Sequence, residues 1–198
     1  MHRSARILPV LTLLLLAAEP ALAHVGGGAT GGFRAGFLHP LTGLDHILAM
    51  VSVGLWGAQL GMPAIWVLPV AFPTVMAVGG FMGLIGLPLP GVEIGIALSA
   101  LVLGLMVLTA ARPPLWVACI IVGIFAIFHG HAHGTELPPG QDGLTFSLGF
   151  VVATGLLHAA GIALGIGWAT MAGRWAIRAA GAGVAAAGPY FLWVALAQ

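Results

Sequence analysis

Between Phe37 and Ala197 the chain passes through apolar stretches that each approach the ~20 residues a helix needs to cross a bilayer. They lie at Phe37–Leu60, Ile65–Ile85, Ile94–Ala111, Leu115–His133, Leu144–Trp168 and Trp175–Ala197. Breakers separate them: Gly61-Met62-Pro63, Pro88-Leu89-Pro90-Gly91, Arg112-Pro113-Pro114 and Pro138-Pro139-Gly140. Composition removes the soluble alternative. Of the 198 residues 60% are hydrophobic and 6% are charged, where a soluble domain carries about 25% charged residues. A closed barrel is the other way to satisfy backbone groups in lipid, but the period-2 alternation it requires is missing. The fold class expected is therefore an all-α integral membrane protein, a bundle of six transmembrane helices.

The start of the chain reads as an address. Arg3 and Arg6 precede an apolar run from Leu8 to Ala18, and Ala21-Leu22-Ala23 is a small-x-small cleavage site, the layout of a secretory signal peptide. The run is too short to span, and Glu19-Pro20 closes it. Residues 1–23 are expected to be removed, leaving 24–198 as a single transmembrane domain that begins outside a bacterial inner membrane at His24. Counting six passes from there puts the linkers 112–114 and 169–174 on the cytoplasmic side and the C-terminus back in the periplasm. Arg112, Arg174 and Arg178 fall at those linkers, as the positive-inside rule asks, and Arg34 alone lies outside. Trp56, Trp66, Trp116, Trp168 and Trp175 also fall toward the cytoplasmic side, where an interfacial belt is expected. Gly79/Gly83, Gly91/Gly95 and Gly161/Gly165 are small-xxx-small pairs suited to close helix packing, within the chain or in a homo-oligomer.

Several classes of partner drop out. There is no basic patch for nucleic acid. Lys is absent and no GxxxxGK[ST] loop occurs, so this chain binds no ATP of its own. Cys119 is the only cysteine, which excludes an internal disulfide and a thiolate cluster; it reads as a small core residue. The partners that remain are the lipid bilayer and whatever the eight histidines hold.

Ionisable residues inside membrane spans are costly and usually functional, and here they are grouped. His39-Pro40-Leu41-Thr42-Gly43-Leu44-Asp45-His46, followed by Met50, opens the first span; Phe128-His129-Gly130-His131-Ala132-His133-Gly134-Thr135-Glu136 closes the fourth. Both groups fall at the outer ends of their helices, and so at one depth. On a straight helix His39 and His46 return to one face, with Met50 a turn beyond and Asp45 about 100° away. Pro40 and Gly43 offer the alternative of a break that brings Asp45 and His46 nearer to His39. His129, His133 and Glu136 share a stripe, and His131 points to the other side. Imidazole and carboxylate without thiolate suit a late first-row divalent ion such as Ni²⁺, Co²⁺, Zn²⁺ or Cu²⁺. The metal ligands expected are His39, Asp45, His46, His129, His133 and Glu136. His24, Met50, Glu93, His131 and His158 are further candidates with plainer readings beside them: a loose terminus for His24, a helix-start carboxylate for Glu93, a packing histidine for His158.

The two groups resemble the signatures of the HupE/UreJ family of nickel-uptake permeases. The first is similar to HPxxGxDHxxxM, matched at His39, Pro40, Gly43, Asp45, His46 and Met50. The second is similar to FHGxAHGxE, matched at Phe128, His129, Gly130, Ala132, His133, Gly134 and Glu136; His131 and Thr135 occupy its variable positions, so the resemblance assigns His131 no role. The first also resembles the His-x-x-x-x-Asp-His signature of another nickel/cobalt permease family, with one residue more between its histidines here. The resemblance implies a secondary transporter, not an enzyme, with no prosthetic group and no catalytic residues. Its cargo would be Ni²⁺, with Co²⁺ as the alternative, carried from periplasm to cytoplasm for hydrogenase or urease maturation. The residues alone leave open an intramembrane zinc hydrolase, which lacks an HExxH helix here, and a metal sensor or assembly factor. On the inner halves of the spans polar residues are few, namely Ser52, Gln59, Thr74, Ser99 and Thr109. Carbonyls freed near Pro69, Pro73 and Gly79-Gly80 are the other groups that could line a path.

Overall fold

A computed structural model describes residues 32–137, 140 and 142–197; the expected signal peptide and His24 lie outside the described residues. The described chain is helical: α1 (Gly32–Thr42), α2 (Leu44–Leu60), α3 (Ala64–Leu84), α4 (Val92–Thr109), α5 (Leu115–Thr135), α6 (Gly143–Gly165) and α7 (Met171–Leu196), with a 3₁₀ turn at Ile166–Ala169 before α7. Five of these helices are long and apolar enough to cross a bilayer, and α1 with α2 makes a sixth span if the bent pair is taken as one.

The first span is the one that departs from a straight rod. Its two helices meet at 83°. Pro40 lacks the N–H that would bond the carbonyl four residues back, and Gly43 takes an extended conformation, φ −94° and ψ 116°. Gly43 also leaves room for the side chains beside it. A Cβ on it would stand 2.9 Å from both the Asp45 carboxylate Oδ1 and the His46 Nδ1.

The helices pair through glycine, and both partners of each tight pair contribute one. In α3 and α5, a Cβ at Gly79 would strike the Ile127 carbonyl and one at Gly130 would strike the Met76 carbonyl. In α1 and α6, Gly36 faces the Phe146 carbonyl and Gly149 the Phe33 carbonyl; in α2 and α6, Gly54 faces the His158 carbonyl and Gly161 the Val51 carbonyl. In α4 and α7, Gly104 abuts Ala185 and Gly181 abuts Leu108. The register of these contacts makes α3/α5 and α1–α2/α6 parallel pairs and α4/α7 antiparallel. Backbones that close can gain dispersion contacts along their length, which is what holds helices together in lipid. The Gly79/Gly83 and Gly161/Gly165 pairs act as expected. Gly91/Gly95 divides its roles: Gly91 caps α4 in the left-handed region at φ 69°, and Gly95 admits the Phe128 ring.

α2 occupies the centre, against α3, α4 and α6. Its core face holds Met50, Val53 and Trp56, packed with Leu68, Phe72, Leu103, Val107 and Val122. Large apolar side chains such as Val70, Val78, Phe81, Ile120, Ile124, Leu148 and Leu156 face outward, as lipid-facing surface requires. The arginines cap carbonyls at one end of the bundle: Arg112 donates to the Gln59 carbonyl at 3.1 Å, Arg174 to Trp168 at 3.2 Å and Arg178 to Leu108 at 2.8 Å. Trp66, Trp116 and Trp175 are exposed at that end. Trp56 corrects the expected interfacial belt: it is fully buried and donates from its indole N–H to the Ala111 carbonyl at 2.9 Å, so it locks α2 to the end of α4. At the opposite end Asp142 caps α6, accepting from the Thr145 N–H at 3.0 Å. The backbone donors of Thr145 and Leu144 hold its carboxyl below the usual aspartate range.

Gly130→Leu is expected to force α3 and α5 apart and to cost about 1–3 kcal/mol or more from overpacking. Gly155→Ala, where a Cβ meets nothing within 4 Å, is expected to be neutral or mildly stabilising. Thermal unfolding of the two variants in detergent checks the contrast; equal behaviour would refute the packing account.

Candidate metal site

The break at Gly43 and the end of α5 bring both sequence motifs to one end of the bundle, opposite Arg112, Arg174 and Arg178. On α5 the residues divide by face. Gly130 and Gly134 press against Met76 and Gly80 of α3, Phe128 packs on Gly95 of α4, and His129 and His133 are left facing α1 and α2. His131 points away and donates its Nε2–H to the Leu87 carbonyl at 2.7 Å.

The outermost part of the site is compact. His39, His133 and Glu136 offer ligand atoms that all lie within 4.8 Å of one another. His39 Nε2 is 3.2 Å from the Glu136 carboxylate, whose side chain is half exposed, and the His39 and His133 ring centres are 4.6 Å apart. From there the rings continue inward as a file. His133 lies 4.7 Å from His46, and His46 lies 4.8 Å from His129. The Phe72 ring of α3 follows at 5.6 Å from His129, and His158 of α6 lies 5.4 Å from that same ring. Phe146 and Phe150 of α6 wall the outer rings, Phe150 at 4.1 Å from His133. The six expected ligands therefore form a triad with a second group behind it.

Hydrogen bonds fix the tautomers of that second group. Asp45 Oδ1 accepts from the His46 backbone N–H at 2.8 Å and lies 2.8 Å from His46 Nδ1. A carboxylate only accepts, so Nδ1 carries the proton and Nε2 presents a lone pair. His129 Nδ1 is 2.9 Å from the Phe125 carbonyl, which sets the same tautomer. His46 Nε2 and His129 Nε2 are buried and have no hydrogen-bond partner, and neither nitrogen of His133 has one. A carboxylate or carbonyl behind Nδ1 is the arrangement that orients and strengthens an imidazole ligand.

The further candidates separate. Met50 is buried in the core one turn below His46. Glu93 stands in the first turn of α4 and shares with Asp45 a cavity of about 60 Å³, lined also by Phe191 and Val194 of α7. Cys119 is half-buried against the core. The inner polar residues mostly serve backbone: Gln59 donates to Val107, Ser99 to Ile96, Thr74 to Val70 and Thr109 to Leu105. Sequence reasoning missed Phe72, Phe146 and Phe150, because a phenylalanine in an apolar span carries no signal of its own.

Apolar helices closed round a histidine–carboxylate file define a polytopic membrane protein with a group of side chains that could hold a metal ion. Residues 12–191 match the HupE / UreJ protein family, and the chain belongs to it. It is 46% identical over 184 residues to Protein HupE of Rhizobium leguminosarum bv. viciae, covering 92% of this chain and 96% of that one. No solved structure matches it. The family is one of metal transporters, and membership bears out the resemblance carried by the two motifs.

His131→Leu is expected to cost about 1 kcal/mol of stability through the lost bond to Leu87 and to leave Co²⁺ affinity unchanged. Thermal unfolding and a Co²⁺ titration in detergent read the two effects separately; weakened binding would put His131 in the site.

Proposed function

We propose that the chain is a secondary permease that carries Ni²⁺, with Co²⁺ as the alternative cargo, from the periplasm into the cytoplasm. His39, Asp45, His46, His129, His133 and Glu136 form its selecting site at the outer end of the bundle. The observation that carries this reading is the pair of buried, unpartnered Nε2 lone pairs on His46 and His129, each held in place by an acceptor behind Nδ1. Lone pairs so placed suit a late first-row divalent ion that has shed water, and they disfavour Mg²⁺, which prefers oxygen. Glu136 and His39, at the exposed edge, receive the ion first; His133, His46 and His129 pass it inward. A transport site must bind well enough to select and weakly enough to release, and a file of rings 4.6 to 4.8 Å apart supplies successive donors in place of one closed cage. The carboxylates of Asp45 and Glu136 offset the charge of the dication in the low-dielectric interior. The metal delivered would serve hydrogenase or urease maturation.

The test is uptake of ⁶³Ni²⁺ into proteoliposomes that contain the purified chain, beside an Asp45→Ala, His46→Ala variant, each challenged with excess Co²⁺, Zn²⁺ and Mg²⁺. Accumulation by the parent that resists Mg²⁺ and drops by roughly tenfold or more in the variant is expected, the usual scale for loss of a ligand and its orienting partner. Tight binding without accumulation would refute transport and favour a sensor.

A further inference from the structure

α3 is seated tightly on α5, whereas α6 packs on α1 and α2 and meets α3 only lightly. Where the outer turns of α3, α5 and α6 come together, a groove of about 150 Å³ remains. Its floor includes His133; its walls are Ala77 and Phe81 of α3 and Ser147 and Val151 of α6. All four wall residues are exposed, so the groove opens sideways on the lipid-facing surface. His133 beneath them is buried, and neither of its ring nitrogens has a hydrogen-bond partner. Helix packing does not account for this space. The α3–α5 contact uses the backbone of Gly80, against which Gly134 presses. A Cβ on Gly80 itself would meet only the Gly130 carbonyl, at 3.5 Å, an ordinary contact. Alanine would fit there and is the better helix former, and Gly80 lines the groove that its methyl would narrow.

Depth and lining identify the occupant. Ala77 lies about 10 Å of helix rise from the end of α3 at Leu84, and Val151 about 12 Å from the start of α6 at Gly143. The hydrocarbon of one leaflet is about 15 Å deep, so the groove runs within the leaflet at the histidine end. Apart from Ser147 at the mouth and His133 on the floor, its lining side chains are apolar. An apolar space of about 150 Å³ stays dry and accepts a hydrocarbon guest the size of benzene. Beside a groove that opens to lipid, the hydrocarbon at hand is an acyl chain.

We propose that the groove holds one acyl chain of a phospholipid from the leaflet at the histidine end, and that this chain completes the wall behind His133 that α3 and α6 leave open. With the chain in place, water is kept from the buried imidazole on the lipid side. The approach left to an ion is the one past His39 and Glu136. Such a seal serves a carrier and a sensor alike.

The full chain is reconstituted in phosphatidylcholine vesicles that contain a phospholipid with a photoactivatable diazirine in its acyl chain. It is irradiated either there or after a detergent wash with unlabelled phosphatidylcholine, and mass spectrometry of the peptides locates the cross-links. A retained chain is expected to label both walls, within residues 77–84 and 147–151, after the wash has removed labelling at Ile120 and Ile124, which face outward on α5 away from the groove. Ala77→Trp and Ser147→Trp fill the groove from opposite walls, and either serves where the other does not fold. Each is expected to lose the wall labelling that survives the wash and to keep the parent's labelling of Ile120 and Ile124 in unwashed vesicles. The proposal is overturned if the washed parent labels the walls no more than Ile120 and Ile124, or if either folded variant labels them as the parent does. Walls that stay unlabelled even before the wash are covered by protein, such as a second copy of the chain, and that result overturns it too.

Discussion

Backbone-to-backbone contact at glycine is the interaction on which the remaining structure depends. In lipid there is no hydrophobic effect to gather helices, so close approach must supply the attraction. Gly79, Gly80 and Gly83 of α3 against Gly130 and Gly134 of α5 bring two helices together with no side chain between them. Because α5 is fixed by its glycine face, the neighbouring face carrying His129 and His133 is fixed with it. The second motif is therefore a packing motif and a histidine motif interleaved at helical spacing, with Phe128 seated on Gly95 as a third point of attachment. Gly43 does the corresponding work in the first motif, where it leaves room for the Asp45–His46 pair at the corner between α1 and α2.

Electrostatics is arranged along the same axis. The described acidic residues Asp45, Glu93, Glu136 and Asp142 stand at one end of the bundle. Arg112, Arg174 and Arg178 stand at the other, bonded to the carbonyls of Gln59, Trp168 and Leu108. The arginines close helix ends, and none of these hydrogen bonds involves the histidine file.

Much of this was legible in the sequence, for physical reasons that differ by element. The spans were readable because lipid demands length and apolarity, and the meeting of the two motifs followed from counting passes. The stripe of His129, His133 and Glu136, and the departure of His131 from it, followed from 3.6 residues per turn. What periodicity could not give was the pairing of helices. A helix apolar all round has no face to point with, so the parallel partnerships of α3 with α5 and of α1–α2 with α6 had to come from the structure. The corner at Gly43 was one of two readings that Pro40 and Gly43 allowed, and the 83° angle between α1 and α2 decides it. Trp56 misled because a tryptophan near a helix end resembles an interfacial anchor whether its N–H faces water or, as here, the Ala111 carbonyl. The aromatic walls at Phe72, Phe146 and Phe150 had no sequence signal at all.

The parallel pairs have a consequence for how the chain is made. Parallel neighbours cannot form as hairpins, so Gly36 waits for its contact at Phe146 until about a hundred further residues have been synthesised, roughly 5 to 20 s at ordinary rates. During that interval the most polar corner of the protein is already in the bilayer without its final neighbours. Asp45 and His46 are adjacent in sequence and bond each other, and His129 bonds a carbonyl of its own helix, so these groups carry a first partner with them from the moment of insertion. Local bonding of this kind lets a nascent span hold charged and polar groups in lipid while it waits. The same bonds that aim the imidazoles in the finished bundle thus act earlier as a chaperone built into the chain.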